Sequence, residues 1–415
     1  MKTPLCEMLG IDFPLIAFSH CRDVVASVSR AGGFGGLGAT AFTPDQLEVE
    51  LKWIDDHIDG RPYGIDVLIP ENVSIKEEKG VTVGALAERI PQTHKDFVRD
   101  LLAKHGVEPP RQLEGGPFGR PDVESSLQRD AALKLLEVAF HHPIKLIANA
   151  LGVPPQSMLD TGHAHGVPVA ALVGAKEHAV RQVQAGVDII VAQGGEAGGH
   201  TGEVSTLVLV PEVLRAIKPI RDVPVLAAGG IMTGRQMAAC MALGAAGVWT
   251  GSVWLATTES ETSEIFRQKM IVARSRDTVR SKCRTGKYSR QLRSAWTDAW
   301  EGPGSPGPLP MPLQSLISEP ALHHMSMSGT SRCGGIIPQG VGSGPLSPVW
   351  ERDREWGHPQ LSPSPASSPI KGRAGALRKE PSNFDACPWS SQETLEGLPL
   401  PPAVLYRANA RKFAA

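Results

Sequence analysis

Apolar positions come in short bursts along the first 250 residues, and most bursts are followed by a stretch in which they recur at helical spacing. "FPLIAFS" (13–19) predicts a strand and "DVVASVSRAG" (23–32) a helix closed by glycine. "GFGGLGAT" (33–40) predicts a second strand. "TPDQLEVELKWIDDHI" (43–58) predicts a helix with Thr43 as N-cap and Pro44 at its first position. "YGIDVLIP" (63–70) is the third strand. Residues 71–130 are polar and break the rhythm, so they read as an insertion. It holds one amphipathic helix, in "THKDFVRDLLAKHG", and a Gly/Pro-rich stretch, "GGPFGRPD".

The helix "AALKLLEVAFHH" (131–142) resumes the pattern. Five more strands follow: "IKLIANALG" (144–152), "VPVAALVG" (167–174), "VDIIVAQ" (187–193), "VPVLAAGG" (223–230) and "AAGVWTGS" (245–252). Helices in "PQSMLDTGHAHG", "AKEHAVRQVQAG", "PEVLRAIKPI" and "TGRQMAACMALG" separate them, and "ETSEIFRQKMIVARS" predicts one more after the last. Alternation of this kind implies a parallel sheet in an α/β protein. Eight strands favour a closed (β/α)8 TIM-type barrel over a doubly wound open sheet. After about residue 300 the prolines crowd among serines and glycines, as in "LSPSPASSPIKG", and no apolar periodicity is read. The chain divides on this reading into a barrel, 1–325, and a disordered low-complexity tail, 326–415.

Charge narrows the function classes. Lys+Arg number 42 against 43 Asp+Glu, a formal net charge of -1, which makes no electrostatic case for nucleic acid. The six cysteines are scattered without a CxxC pair, so neither a disulfide framework nor a zinc site is expected. The N-terminus carries a proline and acids where a signal peptide needs an apolar run, and no run approaches the ~18–20 residues that span a bilayer. The expectation is a cytoplasmic protein acting on a small molecule, with no nucleic acid, membrane or metal partner.

Ligands of such barrels sit at the carboxyl ends of the strands. "GGEAGGH" leaves strand six at Gln193 and carries His200 behind four glycines, which permit close backbone approach. Strands seven and eight end in "AAGGI" and "WTGS", where such barrels build phosphate sites from backbone N–H groups. Gly229, Gly230, Gly251 and Ser252 are the candidate phosphate cradle. His200, with a histidine's near-neutral pKa, is the candidate base beside it. Glu196 is expected to orient a neighbour or cap the following turn. "GFGGLG" (33–38) matches a dinucleotide fingerprint, but a helix precedes it and none opens at once, so close packing of strand two accounts for it better. "HAH" (163–165) and His141–His142 precede strands, at the opposite end of the barrel.

"VAQGGEAGGHTG", "PVLAAGGI", "ALGAAGVWTGS" and "FPLIAFSHCRDVVASVSRAGGFG" together resemble the nitronate monooxygenases, once called 2-nitropropane dioxygenases, over residues 4–325. These are FMN-dependent barrels, and the motifs are shared with flavin-dependent enoyl-thioester and quinone reductases. The resemblance implies FMN over the strand mouths. Ala17, Phe18 and Ser19 would line one side of the ring and Asp66 would reach it. Gln193, Gly198 and Gly199 would approach the ring and ribityl chain, and the two glycine turns would hold the phosphate.

The implied reaction oxidises nitroalkanes or nitronates with dioxygen to a carbonyl compound and nitrite, His200 taking the carbon-bound proton. The alternatives are an NAD(P)H-dependent flavin reductase and a weakly active barrel with an altered C-terminus. Three departures stand out. "FSH" occupies the place of a proline–methionine pair, Asp66 that of a common asparagine, and "VPVAALVG" lacks a lysine common in strand five.

Overall fold

Strand β1 (Leu15–Ser19) follows the first short helix, and helix Arg22–Arg30 carries the chain back to β2 (Phe34–Gly38). The step repeats through β3 (Tyr63–Asp66), β4 (Ile147–Asn149), β5 (Val169–Val173) and β6 (Ile189–Gln193). The two-residue β7 (Gly199–His200) lies in the loop beyond. β8 (Val225–Ala228) and β9 (Gly247–Thr250) come next, then β10 (Thr278–Ser281) and β11 (Ser289–Leu292). The computed structural model describes residues 2–40, 42–69, 83–108 and 129–327.

Strands β1-β2-β3-β4-β5-β6-β8-β9 close into a barrel. All eight neighbouring pairs are parallel, β9 returning to β1 through Leu15↔Val248 and Ala17↔Thr250. These are the eight strands that the apolar runs predict, and the protein is a (β/α)8 barrel. Register and alternation then fix the inward side chains. Ile16, Phe34, Leu146, Ala170, Ile189, Val191, Leu226 and Trp249 form the barrel core, with Phe18 and Leu172 packed against it.

The helix over Pro44–His57 starts as its sequence predicts. Thr43 Oγ1 accepts from the Gln46 N–H, and Gln46 Oε1 accepts from the Thr43 N–H. The glycines of "GFGGLG" serve close packing. A Cβ on Gly35 would lie 2.4 Å from the Val25 carbonyl oxygen and 2.7 Å from its Cα. Backbone cannot yield as a side chain can, so Gly35→Ala is expected to destabilise the protein by roughly 1–3 kcal/mol in urea denaturation. A neutral substitution would show that helix Arg22–Arg30 does not press on β2.

Two readings need correction. The helix expected from Pro211 begins earlier and spans Thr206–Ile217, with Pro211 inside it. The proline is tolerated because the acceptor it leaves unused belongs to Leu207, a solvent-facing residue in the first turn. More consequentially, the apolar pattern does not end at residue 300. Helices Ala295–Glu301 and Leu313–Met327 pack against Val83–Glu88 and Gln92–Lys104 of the predicted insertion. Trp296, Trp300, Ile317 and Leu322 meet Ile90, Val98 and Leu102 in a second core.

The amphipathic helix expected in the insertion is therefore present, and it packs against helix Leu313–Met327. "GGPFGRPD" and the predicted tail beyond Met327 lie outside the described residues. Among the described residues no helix is long and apolar enough to cross a membrane.

Candidate active site

All eight barrel strands run the same way, so their carboxyl ends share one mouth. Following the inward alternation upward, the top layer includes Phe18 on β1, Gly38 on β2, Asp66 on β3, Gln193 on β6 and Trp249 on β9. Phe18 stacks on Trp249 with ring centroids 6.2 Å apart, an apolar floor beneath the mouth. Ala17 is buried, and Ser19 Oγ accepts from the Cys21 N–H at 3.0 Å, a local turn just before the next helix.

The loop after β6 lies against the turns after β8 and β9. Gly229 (φ 118°) and Gly230 (φ 69°) both occupy the left-handed region. A Cβ on Gly198 would lie 2.4 Å from Ser252 Oγ, so the loop after β6 touches the turn after β9 directly. Among the described residues, no protein acceptor meets the backbone N–H of Gly229, Gly230 or Gly251. These three donors lie on the turns that follow two neighbouring strands, an arrangement of backbone N–H groups suited to an anion. Glu196 ties the loop down as a cap, its Oε2 accepting from the Thr206 N–H (2.9 Å) and hydroxyl (3.0 Å).

His200 stands on an element that the sequence did not reveal. Gly199–His200 is the edge strand β7 of a three-stranded antiparallel sheet with β11 and β10, His200 opposite Ser289. Arg290 reinforces the clamp by donating from Nε to the Gly195 carbonyl at 2.7 Å. The hairpin between β10 and β11 carries Thr285, whose Oγ1 lies 2.7 Å from His200 Nε2. Arg284 beside it makes a buried two-bond ion pair with Glu319 of helix Leu313–Met327, at 2.6 and 3.1 Å. Helix Leu313–Met327 thereby holds the hairpin that holds the histidine.

The histidine's pKa is not near neutral. Crowding by surrounding protein, with smaller contributions from Arg284 and Lys287, pulls His200 down to about 4 while its outer edge stays exposed. The imidazole is neutral at physiological pH and able to accept a proton, but it is a weaker base than expected.

Two polar atoms in the same mouth lack partners among the described residues, Asp66 Oδ1 and His20 Nε2, and both are sealed from solvent. Burial raises Asp66 to about 7. It also lowers His20, whose Nδ1 lies 3.0 Å from the Gly38 carbonyl. A carbonyl only accepts, so Nδ1 carries the proton and Nε2 is a lone-pair acceptor. Sequence reasoning flagged "FSH" as a departure and assigned His20 no role.

Outside the mouth, two of the histidines singled out by the sequence have local partners. His163 bonds Asp188 at 2.9 Å, and His142 bonds Asp55 at 2.6 Å and Glu48 at 3.2 Å. Cys6, Cys21, Cys240 and Cys283 are buried free thiols. Cys21, Asp23 and Glu261 approach one another within 4.8 Å, but burial pushes the thiol up to about 12 and it donates to the Glu259 carbonyl at 3.0 Å. A thiol held protonated is a poor metal ligand.

This arrangement has counterparts among known proteins. The family model for nitronate monooxygenase matches residues 2–340. A Mycobacterium tuberculosis protein provisionally named a monooxygenase is 53% identical over 332 residues, 79% of this chain and 86% of that one. A Staphylococcus aureus protein provisionally named a nitronate monooxygenase is 28% identical over 337 residues, covering 77% and 87%. Among solved structures, nitroalkane oxidase from Streptomyces ansochromogenes superposes with a TM-score of 0.63 at 24% identity, covering 82% of this chain and 92% of that one; it speaks for the fold.

Proposed function

Because the chain belongs to the nitronate monooxygenase family and is an oxidoreductase, we propose that it binds FMN across the barrel mouth and oxidises nitroalkanes or alkyl nitronates with dioxygen, yielding a carbonyl compound and nitrite. Family membership implies a flavin. FMN rather than a dinucleotide is supported by the two adjacent turns with unpaired N–H groups, suited to one terminal phosphate. It is further supported by "GFGGLG", which is a packed strand rather than a phosphate loop.

Gly229, Gly230 and Gly251 would give N–H groups to the phosphate and Ser252 its hydroxyl. Gln193, Gly198 and Gly199 would flank the ring and ribityl chain, with Ala17, Phe18 and Ser19 on one side and Asp66 within reach. When bound, the flavin supplies the electron acceptor and the reaction with dioxygen.

The remaining chemistry belongs to the chain. His200 Nε2 is tied to Thr285, so Nδ1, which has no described partner, is the nitrogen that accepts the carbon-bound proton of a nitroalkane. Thr285 Oγ1 lies 3.4 Å from the Lys287 carbonyl; with its hydroxyl directed there, its oxygen accepts from Nε2–H and leaves Nδ1 unprotonated. Arg284 and Lys287 oppose the imidazolium that forms, and the nitronate anion produced beside it offsets that charge. Phe18 and Trp249 keep the floor apolar and exclude water. A preformed nitronate needs no base.

The unpaired N–H groups on the turns after β8 and β9 carry this reading. The protein is expected to purify yellow and to release FMN on heating. Gly230→Val places a β-branched residue in left-handed backbone and sets its Cβ 3.2 Å from Glu196 Cβ, so the turn must shift, which should weaken flavin binding at least ~10-fold in a fluorescence titration. A colourless wild type, or release of FAD, contradicts the proposal.

A further inference from the structure

We propose that Glu319 is a positioning residue for His200: through its buried pair with Arg284 it fixes the hairpin tip that places the Thr285 hydroxyl against the imidazole. This role rests on the reading of His200 as the base, and it brings helix Leu313–Met327, which lies outside the barrel, into the working site.

That helix buries two kinds of side chain. Leu316, Ile317, Ala321, Leu322 and Met325 belong to the second core. Gln314, Ser318 and Glu319 are polar and buried too, and all three bond two consecutive residues of the hairpin. Gln314 Nε2 donates to the Cys283 carbonyl at 2.7 Å, and the Ser318 hydroxyl donates to the Arg284 carbonyl. Glu319 takes the Arg284 guanidinium with both carboxylate oxygens, the two side chains being 8% and 4% exposed. The next residue is Thr285.

The other side of the tip is closed as well. Gly286 has φ 82°, and a Cβ on it would stand 2.4 Å from the Leu309 carbonyl oxygen and 2.5 Å from the Met311 nitrogen. Residues 283–286 are therefore gripped by 309–319, with Thr285 between the two grips.

Packing alone does not call for this polar set. Apolar residues of similar volume often replace a buried ion pair without loss, so an apolar face would dock the helix as well. What the pair adds is direction, because two parallel bonds between planar groups fix orientation as well as distance. Thr285 Oγ1, 2.7 Å from His200 Nε2, passes that constraint to the ring. The backbone of His200 has a separate hold, its pairing with Ser289 and the Arg290 bond to the Gly195 carbonyl. Loosening Glu319 therefore frees the ring and leaves the loop beside the proposed flavin in place.

The test uses the full-length flavoprotein carrying Glu319→Gln. A second variant, Arg284→Met with Glu319→Leu, leaves neither charge in the core and decides the matter should the first fail to fold. Turnover of a neutral nitroalkane should fall on the order of 10-fold with KM unchanged, because a displaced base costs rate rather than binding. Turnover of a preformed nitronate should hold. In a His200→Asn background the same substitutions should cost nothing further, since a residue that acts through the imidazole loses its effect with it. The His200 ring N–H proton resonance, identified by its absence in His200→Asn, gives a readout free of turnover. The bond to Thr285 shields that proton from exchange in wild type, and both variants should lose the signal. Equal losses on both substrates, a full further loss in the His200→Asn background, or an unchanged N–H resonance overturns the proposal and leaves Glu319 a purely stabilising role. A wild type that turns over no nitroalkane removes the base reading instead, and the resonance then decides by itself whether Glu319 holds the ring.

Discussion

His200→Asn is expected to lower turnover of a neutral nitroalkane by ~10²–10⁴-fold, the usual worth of a positioned base, while leaving FMN bound. The flavin should stay because the proposed phosphate contacts are backbone N–H groups of Gly229, Gly230 and Gly251, which this side chain does not touch. Turnover of a preformed nitronate should fall far less, since its proton has already gone. The pH profile adds an independent check. A protonated imidazole cannot accept, so activity on the neutral substrate should fall as the pH drops through about 4 and hold above it. An unperturbed histidine would put that limb near 6.5. Equal losses on both substrates would assign His200 a positioning role and remove it as the base.

The second large effect concerns Asp66, which is 4% exposed. Its folded-state pKa of about 7 lies above the unfolded value of 3.8, so the folded protein holds a proton that the unfolded chain releases. Its stabilising contribution is complete below pH 3.8 and is lost as the pH rises through about 7. A shift of about three units corresponds to about 4 kcal/mol at most. Flavin-free wild type should therefore lose stability relative to Asp66→Asn as the pH rises from 4 to 8. Urea denaturation of both proteins across that range gives the difference, and a difference that does not move with pH would mean that Asp66 is not sealed.

The barrel was legible because each of its strands is a short apolar run closed by a turn, and burial on both faces needs just that. The cap at Thr43 was legible for a similar reason, since a Thr-Pro-x-Gln start is local chemistry. The small sheet over the mouth was not. In "TVRSKCRTGKYSRQL" the buried positions are Ser281, Cys283, Arg284, Ser289, Gln291 and Leu292, mostly small or polar, while Arg280, Lys282 and Arg290 alternate with them along the strands. Small polar residues facing inward give no apolar signal at a period of two.

Helix Leu313–Met327 carried an apolar signal, with Leu316, Ile317, Ala321, Leu322 and Met325 buried at helical spacing. Pro320 and the surrounding prolines hid it. The consequence reaches the site, because Glu319 on that helix pairs with Arg284 next to Thr285. Of the candidate residues, His200 and the three glycine-rich turns were readable from position on the barrel alone. The low pKa of His200 and the His20 Nε2 atom left without a partner among the described residues depend on packing between separate elements, which no local pattern encodes.

The most direct measurement mixes the purified flavoprotein with one reductant at a time in the absence of oxygen and follows bleaching of the flavin. The account predicts that a nitronate bleaches wild type rapidly and that NADH and NADPH do not. Rapid bleaching by NADH or NADPH, with no response to the nitronate, would make the protein a pyridine-nucleotide-dependent reductase and contradict the account.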